Sequence, residues 1–144
     1  MLIYQYLEQN AEKYTKETAI IELNYLAMIP DPGKWREGKD KGPLEPYRRE
    51  ITWEVFNERA NRIANFLISC GIRKGDHIAI MLKNCLEWMP IYFGILKTDA
   101  IAVMLNYRFN ADKIKTCLDK VNACAFIFGP ECSEIIKDTA DQLG

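Results

Sequence analysis

The sequence lacks the glycine-rich motifs that bind phosphate groups. Its eight glycines form neither a GxGxxG nor a GxxxxGK pattern, which excludes a dinucleotide fingerprint and a Walker loop. No GxSxG, HExxH or paired-carboxylate arrangement occurs either, so the usual hydrolase and zinc-peptidase signatures are missing. With one histidine, His77, and five cysteines without a CxxC pair, no Cys/His zinc site has a usual spacing. The sequence therefore predicts no catalytic residue and no metal ligand.

An excess of charge of one sign is also missing. Nineteen Lys and Arg residues stand against twenty Asp and Glu residues, which leaves a formal net charge of −1. This balance gives no electrostatic basis for nucleic acid or an anionic membrane as a partner. The most apolar run, residues 88–96, is about half as long as a membrane span. We therefore predict a cytoplasmic protein whose cysteines are reduced core thiols, with no spanning segment and no nucleic-acid partner.

The chain does have the length and composition of one globular domain. Its 144 residues are 49% apolar and 27% charged, which is sufficient for a hydrophobic core. Apolar spacing predicts a short amphipathic helix at the start, followed by a strand over residues 19–23. Proline, glycine and mixed charges then predict an extended hairpin loop over residues 24–49, with a return strand that ends near Ile51.

From Thr52 onward the sequence predicts a helix and then a buried strand. The Thr52 hydroxyl can cap the helix, and an apolar stripe along it faces a core. Gly71 suits the left-handed position that ends a helix. The apolar run at residues 77–82 is typical of a strand that is covered on both faces.

The next helix is predicted to begin at a capping box formed by Asn84 and Glu87. Because Pro90 has no N–H to donate, the helix is expected to be kinked near this residue before it ends at Thr98.

The strand–helix unit is then predicted to repeat. Residues 101–105 are typical of a second buried strand, Asn110 caps the following helix, and residues 125–128 form a third strand before a last helix marked by Ile135, Ile136 and Leu143. Such alternation with short connections favours a parallel sheet with right-handed crossovers. We predict an α/β fold in which a parallel βαβαβ sheet flanked by helices follows an N-terminal helix and a β-hairpin with a long loop.

Arg108 is the candidate binding residue. Open α/β sheets bind ligands beyond the carboxyl ends of their strands. Arg108 is an always-charged fork of donors directly after the second predicted strand. From spacing alone, an ordinary surface arginine is the simpler interpretation.

Three motifs in order carry a resemblance to a known family. They are Ile-Thr-Trp at residues 51–53, Gly-Ile-Arg-Lys-Gly-Asp at residues 71–76 and Leu-Asn-Tyr-Arg at residues 105–108. On these motifs, residues 11–131 resemble the amino-terminal portion of the adenylate-forming (AMP-binding) superfamily. The Asn-Tyr-Arg-Phe ending is similar to acyl-CoA synthetases in particular, because peptide-synthetase domains more often carry Asp-Pro there. Asp99 departs from the usual glycine, and a left-handed backbone at that position is affordable for aspartate. Met104 departs from the usual proline.

The resemblance implies an AMP-forming acyl-CoA synthetase as the parent enzyme. Such an enzyme joins a fatty or aromatic carboxylic acid to ATP with Mg²⁺, and CoA then displaces AMP from the acyl-adenylate. By resemblance Arg108 contacts a phosphate of CoA. The family's ATP-binding and catalytic motifs have no counterpart in this chain. We therefore expect residues 1–144 to be an inactive N-terminal subdomain that binds none of these ligands tightly and associates with itself through exposed apolar surface.

Two other interpretations stay open. One is a stand-alone α/β interaction or binding module that reuses this subdomain without catalysis. The other is the start of a peptide-synthetase adenylation domain, which would activate an amino acid. A carrier-protein domain further along the chain would favour the second interpretation.

Overall fold

The computed structural model describes residues 2–23 and 48–137. The predicted hairpin loop over residues 24–49 lies outside these ranges, apart from its last two residues, which belong to a strand. In chain order the elements are α1 (Ile3–Lys13), β1 (Thr18–Leu23), β2 (Arg48–Thr52), α2 (Trp53–Ser69), β3 (His77–Met81), α3 (Trp88–Leu96), β4 (Ile101–Met104), α4 (Ala111–Val121) and β5 (Ala123–Phe128). A 3₁₀ turn at Pro130–Cys132 follows, and residues 133–137 are helical. Leu143, which was expected in that last helix, lies outside the described residues.

The elements form two sheets. Strands β1 and β2 pair antiparallel as the predicted hairpin, whereas β3, β4 and β5 form a parallel sheet in the order β4-β3-β5. Each strand of the parallel sheet is joined to the next by a helix. The predicted α/β class and the βαβαβ pattern are therefore confirmed.

Helix α2 begins and ends at the residues that the sequence indicates. The Thr52 hydroxyl accepts a hydrogen bond of 3.3 Å from the N–H three residues later. At the other end Gly71 has a φ of 90°, and its N–H donates to the Ile68 carbonyl at 2.9 Å. The N–H of Ile72 reaches the Leu67 carbonyl at 3.1 Å, which completes a Schellman motif.

The start of α3 differs from the prediction. The helix begins at Trp88, and Glu87 at its N-cap makes no side-chain capping bond, so the capping box of Asn84 and Glu87 is wrong. Glu87 instead lies 3.3 Å from the guanidinium of Arg49 in β2, a contact that a local pattern cannot reveal. Because Pro90 lies in the first turn, where helical N–H groups have no partner, its missing N–H gives no reason for the predicted kink. The helix ends at Leu96, shortly before the predicted Thr98.

The core lies on both faces of the central strand β3. Ile78 and Ile80 are buried against α2 and α3, together with Leu67 and Ile95. Successive side chains of a strand point to opposite faces. A second cluster accordingly contains the alternate β3 residues and the apolar face of α4: Ala79, Met81, Ile114, Leu118, Cys132 and Ile136. The prediction that this strand is covered on both faces is confirmed.

Strand β4 is not the buried strand that its apolar sequence predicts. Ile101 is 47% exposed and Met104 is 59% exposed. The reason is the strand order: within the described residues β4 pairs with β3 alone and has an open outer edge. An apolar run indicates a strand but does not specify how many neighbours cover it.

The amino edge of the parallel sheet satisfies its own polar groups. Asp99 adopts the left-handed φ of 58° that the sequence suggested, and its carboxylate lies 3.6 Å from the Lys74 ammonium. The N–H of Gly75 donates to the Asp99 carbonyl at 3.0 Å. The Asp76 carboxylate accepts a 2.7 Å hydrogen bond from the N–H of Arg73.

The cysteines only partly fit the predicted core positions. All five are free, but only Cys132 is buried, whereas Cys70 and Cys124 are exposed. Burial raises the pKa of the Cys132 thiol above its usual value, with a smaller contribution from Glu131. Across the described residues, no helix combines the length and apolar character needed to cross a membrane.

Candidate functional site

Three loops meet at the carboxyl edge of the parallel sheet. Because the strands are parallel, the segments after β3, β4 and β5 all leave from this edge. The N–H of Leu105, after β4, donates to the Ile80 carbonyl of β3 at 2.8 Å. The N–H of Gly129, after β5, donates to the Met81 carbonyl at 3.1 Å. These bonds fix the starting positions of the loops on either side of β3.

The loop after β4 forms a tight turn that presents Arg108. The Asn106 side-chain oxygen accepts from the Arg108 N–H at 2.9 Å, and its carbonyl accepts from the Phe109 N–H at 2.9 Å. Asparagine favours such turns because its side chain can bond the backbone two residues later. Tyr107 and Phe109 pack against the core beside α4, while Arg108 is exposed. Asn110 then caps α4, as the sequence predicts.

The aromatic ring of Tyr107 brings two cations together. The Arg108 Nε donates to the Tyr107 hydroxyl at 3.2 Å, and the Arg108 Cζ lies 5.5 Å from the centre of the ring. The Lys83 Nζ lies 5.7 Å from the same ring centre. Both distances are within the range of cation–π attraction. Across residues 2–23 and 48–137, neither Lys83 nor Arg108 forms a salt bridge with a carboxylate.

Glu131 ties the loop after β5 to the loop after β3. Its Oε1 accepts a hydrogen bond of 2.8 Å from the backbone N–H of Lys83. This bond lowers the pKa of Glu131 below its usual value, with further lowering from its own backbone N–H and the Lys83 charge. Gly129 makes the arrangement possible, because a Cβ at that position would collide with the Glu131 carboxylate. The carboxyl edge therefore holds one ionised carboxylate beside two cations.

Arg108 is where the sequence places it, but its neighbours were missed. The structure locates Arg108 at the carboxyl edge after β4, although that strand is half-exposed. Lys83 and Tyr107 carry no motif of their own, and the sequence analysis attached no role to either residue. The contact between them depends on β4 lying beside β3, so the only sequence signal is that both follow predicted parallel strands. Among the described residues, no three His, Cys, Asp or Glu side chains are grouped to hold a metal ion.

An apolar groove lies away from this edge, between α2 and β5. It has a volume of about 380 Å³, and its lining includes Ile63 and Phe66 of α2 and Phe126 of β5. Phe66 beside it is 65% exposed, and Ile68 at the end of α2 is 55% exposed. The groove offers apolar contact but few polar groups, which distinguishes it from the carboxyl edge.

Comparison with known proteins gives a match along nearly the whole chain. The model of the family described as AMP-binding enzyme matches residues 7–143. The crotonobetaine/carnitine–CoA ligase of Proteus mirabilis is 44% identical over 99 residues, which are 69% of this chain and 15% of that protein. The chain therefore spans less than a fifth of the length of this relative.

Solved structures resemble the chain as well. The N-terminal domain of FACL13 from Mycobacterium tuberculosis superimposes with a TM-score of 0.78 at 24% identity, covering 100% of this chain and 31% of that one. A fatty acyl CoA synthetase from the same organism gives a TM-score of 0.75 at 25% identity, covering 95% of this chain and 23% of that one. The fold is that of the N-terminal subdomain of adenylate-forming ligases.

Proposed function

The chain belongs to the AMP-binding enzyme family, and from this membership we propose that it supplies the amino-terminal subdomain of an AMP-forming acyl-CoA synthetase. The observation that carries the proposal is the family match over residues 7–143, together with a CoA ligase relative at 44% identity. That this relative is a CoA ligase favours acyl-CoA synthesis over the amino-acid activation of a peptide synthetase.

The proposed reaction joins a carboxylic acid to CoA at the expense of ATP. The carboxylate displaces pyrophosphate from ATP to give an acyl-adenylate, and the CoA thiol then displaces AMP to give the thioester. The acid is a fatty or aromatic acid, as the sequence suggests, or an acid of the kind named for the Proteus relative. Mg²⁺ would offset phosphate charge, but the described residues contain no cluster of ligands that fits it, so no step is assigned to it here.

Within this reaction the subdomain acts as a scaffold that presents Arg108 to a phosphate of CoA. The guanidinium can form two parallel hydrogen bonds to a phosphate. Its exposed position, at the edge where parallel sheets bind ligands, supports this role. So does the lack of a carboxylate partner for Arg108 among the described residues, because the positive charge is then available to a ligand.

The proposal includes a cytoplasmic location and self-association of the isolated chain. Five free cysteines are compatible with a reducing compartment. The exposed Phe66 and Ile68 lie on or near an apolar groove, and such surface favours association. Sedimentation at increasing protein concentration should show dimers or larger species. Phe66→Ser should shift the chain towards monomer, and a strict monomer at high concentration would contradict this part of the proposal.

The proposal is tested by ATP–pyrophosphate exchange with a panel of carboxylic acids. The enzyme that carries this subdomain should exchange in the presence of its acid, whereas the isolated 144-residue chain should show no exchange above the blank. The reason is that the chain has no phosphate-binding loop and no lysine placed to balance the charge that develops on ATP. Reproducible, acid-dependent exchange by the pure chain would show that the assignment of roles is wrong.

A further inference from the structure

We infer that Lys83, Tyr107 and Arg108 together form a binding site for a diphosphate group, in which Tyr107 is the positioning residue for both cations. The inference rests on the proposed function in one respect, since Arg108 is the phosphate-binding residue in both. It adds a second cation from a different loop, and it assigns a chemical class to the ligand.

Both cations are held against one aromatic ring. The Lys83 Nζ and the Arg108 Cζ lie 5.7 and 5.5 Å from the same ring centre, so their separation cannot exceed the sum of these distances. A charge-assisted hydrogen bond adds about 2.8 Å at each end of a bound anion. A diphosphate, with oxygens on two phosphorus atoms, can contact both cations, whereas a single phosphate reaches a shorter distance. The arrangement therefore favours diphosphate over phosphate.

Tyr107 is fixed in place by the core and in turn fixes Arg108. Its ring is partly buried against the cluster that contains Ile114 and Leu118. Its hydroxyl accepts from the Arg108 Nε at 3.2 Å. The terminal nitrogens of the guanidinium donate to no described residue, so they can bind two oxygens of a ligand. The bond from Asn106 to the Arg108 N–H holds the backbone in the same turn.

Glu131 sets the electrostatic limit of the site. Its carboxylate is bound to the backbone N–H of Lys83 and has a lowered pKa, so it is ionised at neutral pH. A negative charge here opposes an incoming anion. Glu131→Gln keeps an oxygen that can accept the Lys83 N–H and removes the charge. This variant should therefore strengthen diphosphate binding by about two- to threefold.

Titration of the 144-residue chain with inorganic pyrophosphate tests the site directly. The readout is the dissociation constant from calorimetry or NMR, with inorganic phosphate as the comparison anion. Lys83→Met and Arg108→Ala should each weaken pyrophosphate binding by about tenfold, the effect of losing one charge-assisted hydrogen bond. Lys74→Met is the matched control, because it removes the same charge at the amino edge of the sheet. Its dissociation constant should stay within about twofold of the parent value.

Tyr107→Phe tests the positioning role without loss of the ring. This variant keeps the aromatic packing but removes the hydroxyl that accepts from Arg108. The Arg108 Nε–H resonance should exchange faster with water, and the preference for pyrophosphate over phosphate should fall by about threefold. An unchanged Nε–H exchange rate together with unchanged anion preference would overturn the role of Tyr107.

The outcomes separate the joint site from the role of Arg108 alone. Loss of binding in both Lys83→Met and Arg108→Ala, with Lys74→Met unaffected, supports the joint site. Loss in Arg108→Ala alone overturns the joint site but leaves the proposed contact between Arg108 and CoA standing. Equal loss in all three variants, or no loss in any, means non-specific anion binding and overturns both assignments at this edge.

Discussion

The two edges of the parallel sheet are built from the same strands but treat charge in opposite ways. At the amino edge, Asp76 bonds the Arg73 N–H and Asp99 pairs with Lys74. At the carboxyl edge, Lys83 and Arg108 face the ring of Tyr107, and within the described residues neither pairs with a carboxylate.

This difference separates a structural edge from a binding edge. Polar groups that satisfy one another stabilise the turns between helix and strand and leave no charge for a ligand. Cations that are held by an aromatic ring keep their N–H groups available, at a small cost because they remain exposed to water. We therefore expect substitutions at the amino edge to alter the free energy of unfolding, and substitutions at the carboxyl edge to alter ligand binding.

The largest expected effect belongs to the carboxyl edge. Arg108→Ala in the acyl-CoA synthetase that carries this chain should raise the KM for CoA by about ten- to a hundredfold, the cost of one or two charge-assisted hydrogen bonds of roughly 1.5–3 kcal/mol each before screening. Adenylate formation should be almost unchanged, because CoA takes no part in that half-reaction. Arg108→Lys should restore only part of the affinity, since lysine lacks the fork. An equal loss in both half-reactions would instead make Arg108 a structural residue.

The amino edge should show the reverse behaviour. Asp99 has a φ of 58°, so Asp99→Ala should lower the free energy of unfolding by about 1–2 kcal/mol through left-handed strain. Asp99→Gly is the matched control and should stay within about 0.5 kcal/mol of the parent, because glycine adopts this backbone easily. Urea denaturation measures both values, and anion binding should be the same in all three proteins. A drop in anion affinity with Asp99→Ala would break the division between the edges.

A smaller effect is expected where the carboxyl edge depends on close packing. Gly129→Ala should displace the Glu131 carboxylate from the Lys83 N–H, with a loss of about 1 kcal/mol of stability. Glu131→Ala removes the same bond. If displacement of this carboxylate is the cause, the double variant should be no less stable than Gly129→Ala alone. Additive losses in denaturation experiments would contradict this explanation.

The smallest expected effect is a dependence of stability on pH. Because the folded pKa of Glu131 lies below its ordinary value of 4.5, folding favours the ionised form. This contribution is fully present above pH 4.5 and is lost as the pH falls through the folded pKa. The melting temperature of Glu131→Gln should therefore decline less than that of the parent between pH 5 and the acid limit. Parallel curves for the two proteins would contradict the assignment.

Much of the fold could be predicted because local signals agree with the tertiary structure. The caps at Thr52 and Asn110, the left-handed Gly71 and the apolar strand β3 each serve the same element in sequence and in space. The start of α3 could not be predicted, because Glu87 pairs with Arg49 across the molecule rather than with its own helix. Local periodicity carries no information about such a partner.

The exposed β4 and the composition of the candidate site share a cause. Both depend on the strand order β4-β3-β5, which the helix and strand pattern does not specify. The position of Arg108 after a strand could be predicted, since it needs only the end of an element. The approach of Lys83 to Tyr107 could not, since it needs to be known which strands are neighbours.

The most direct test of a binding edge is an NMR map of CoA on the 144-residue chain. CoA is titrated to millimolar concentration, with dephospho-CoA as the comparison ligand. Amide shifts should concentrate at Lys83, in the 106–109 turn and at Gly129, and should weaken in Arg108→Ala. Gly75 and Asp99 at the amino edge should not move. Shifts that cluster at the amino edge, or that are unaltered by Arg108→Ala, would contradict the assignment of the carboxyl edge as the binding edge.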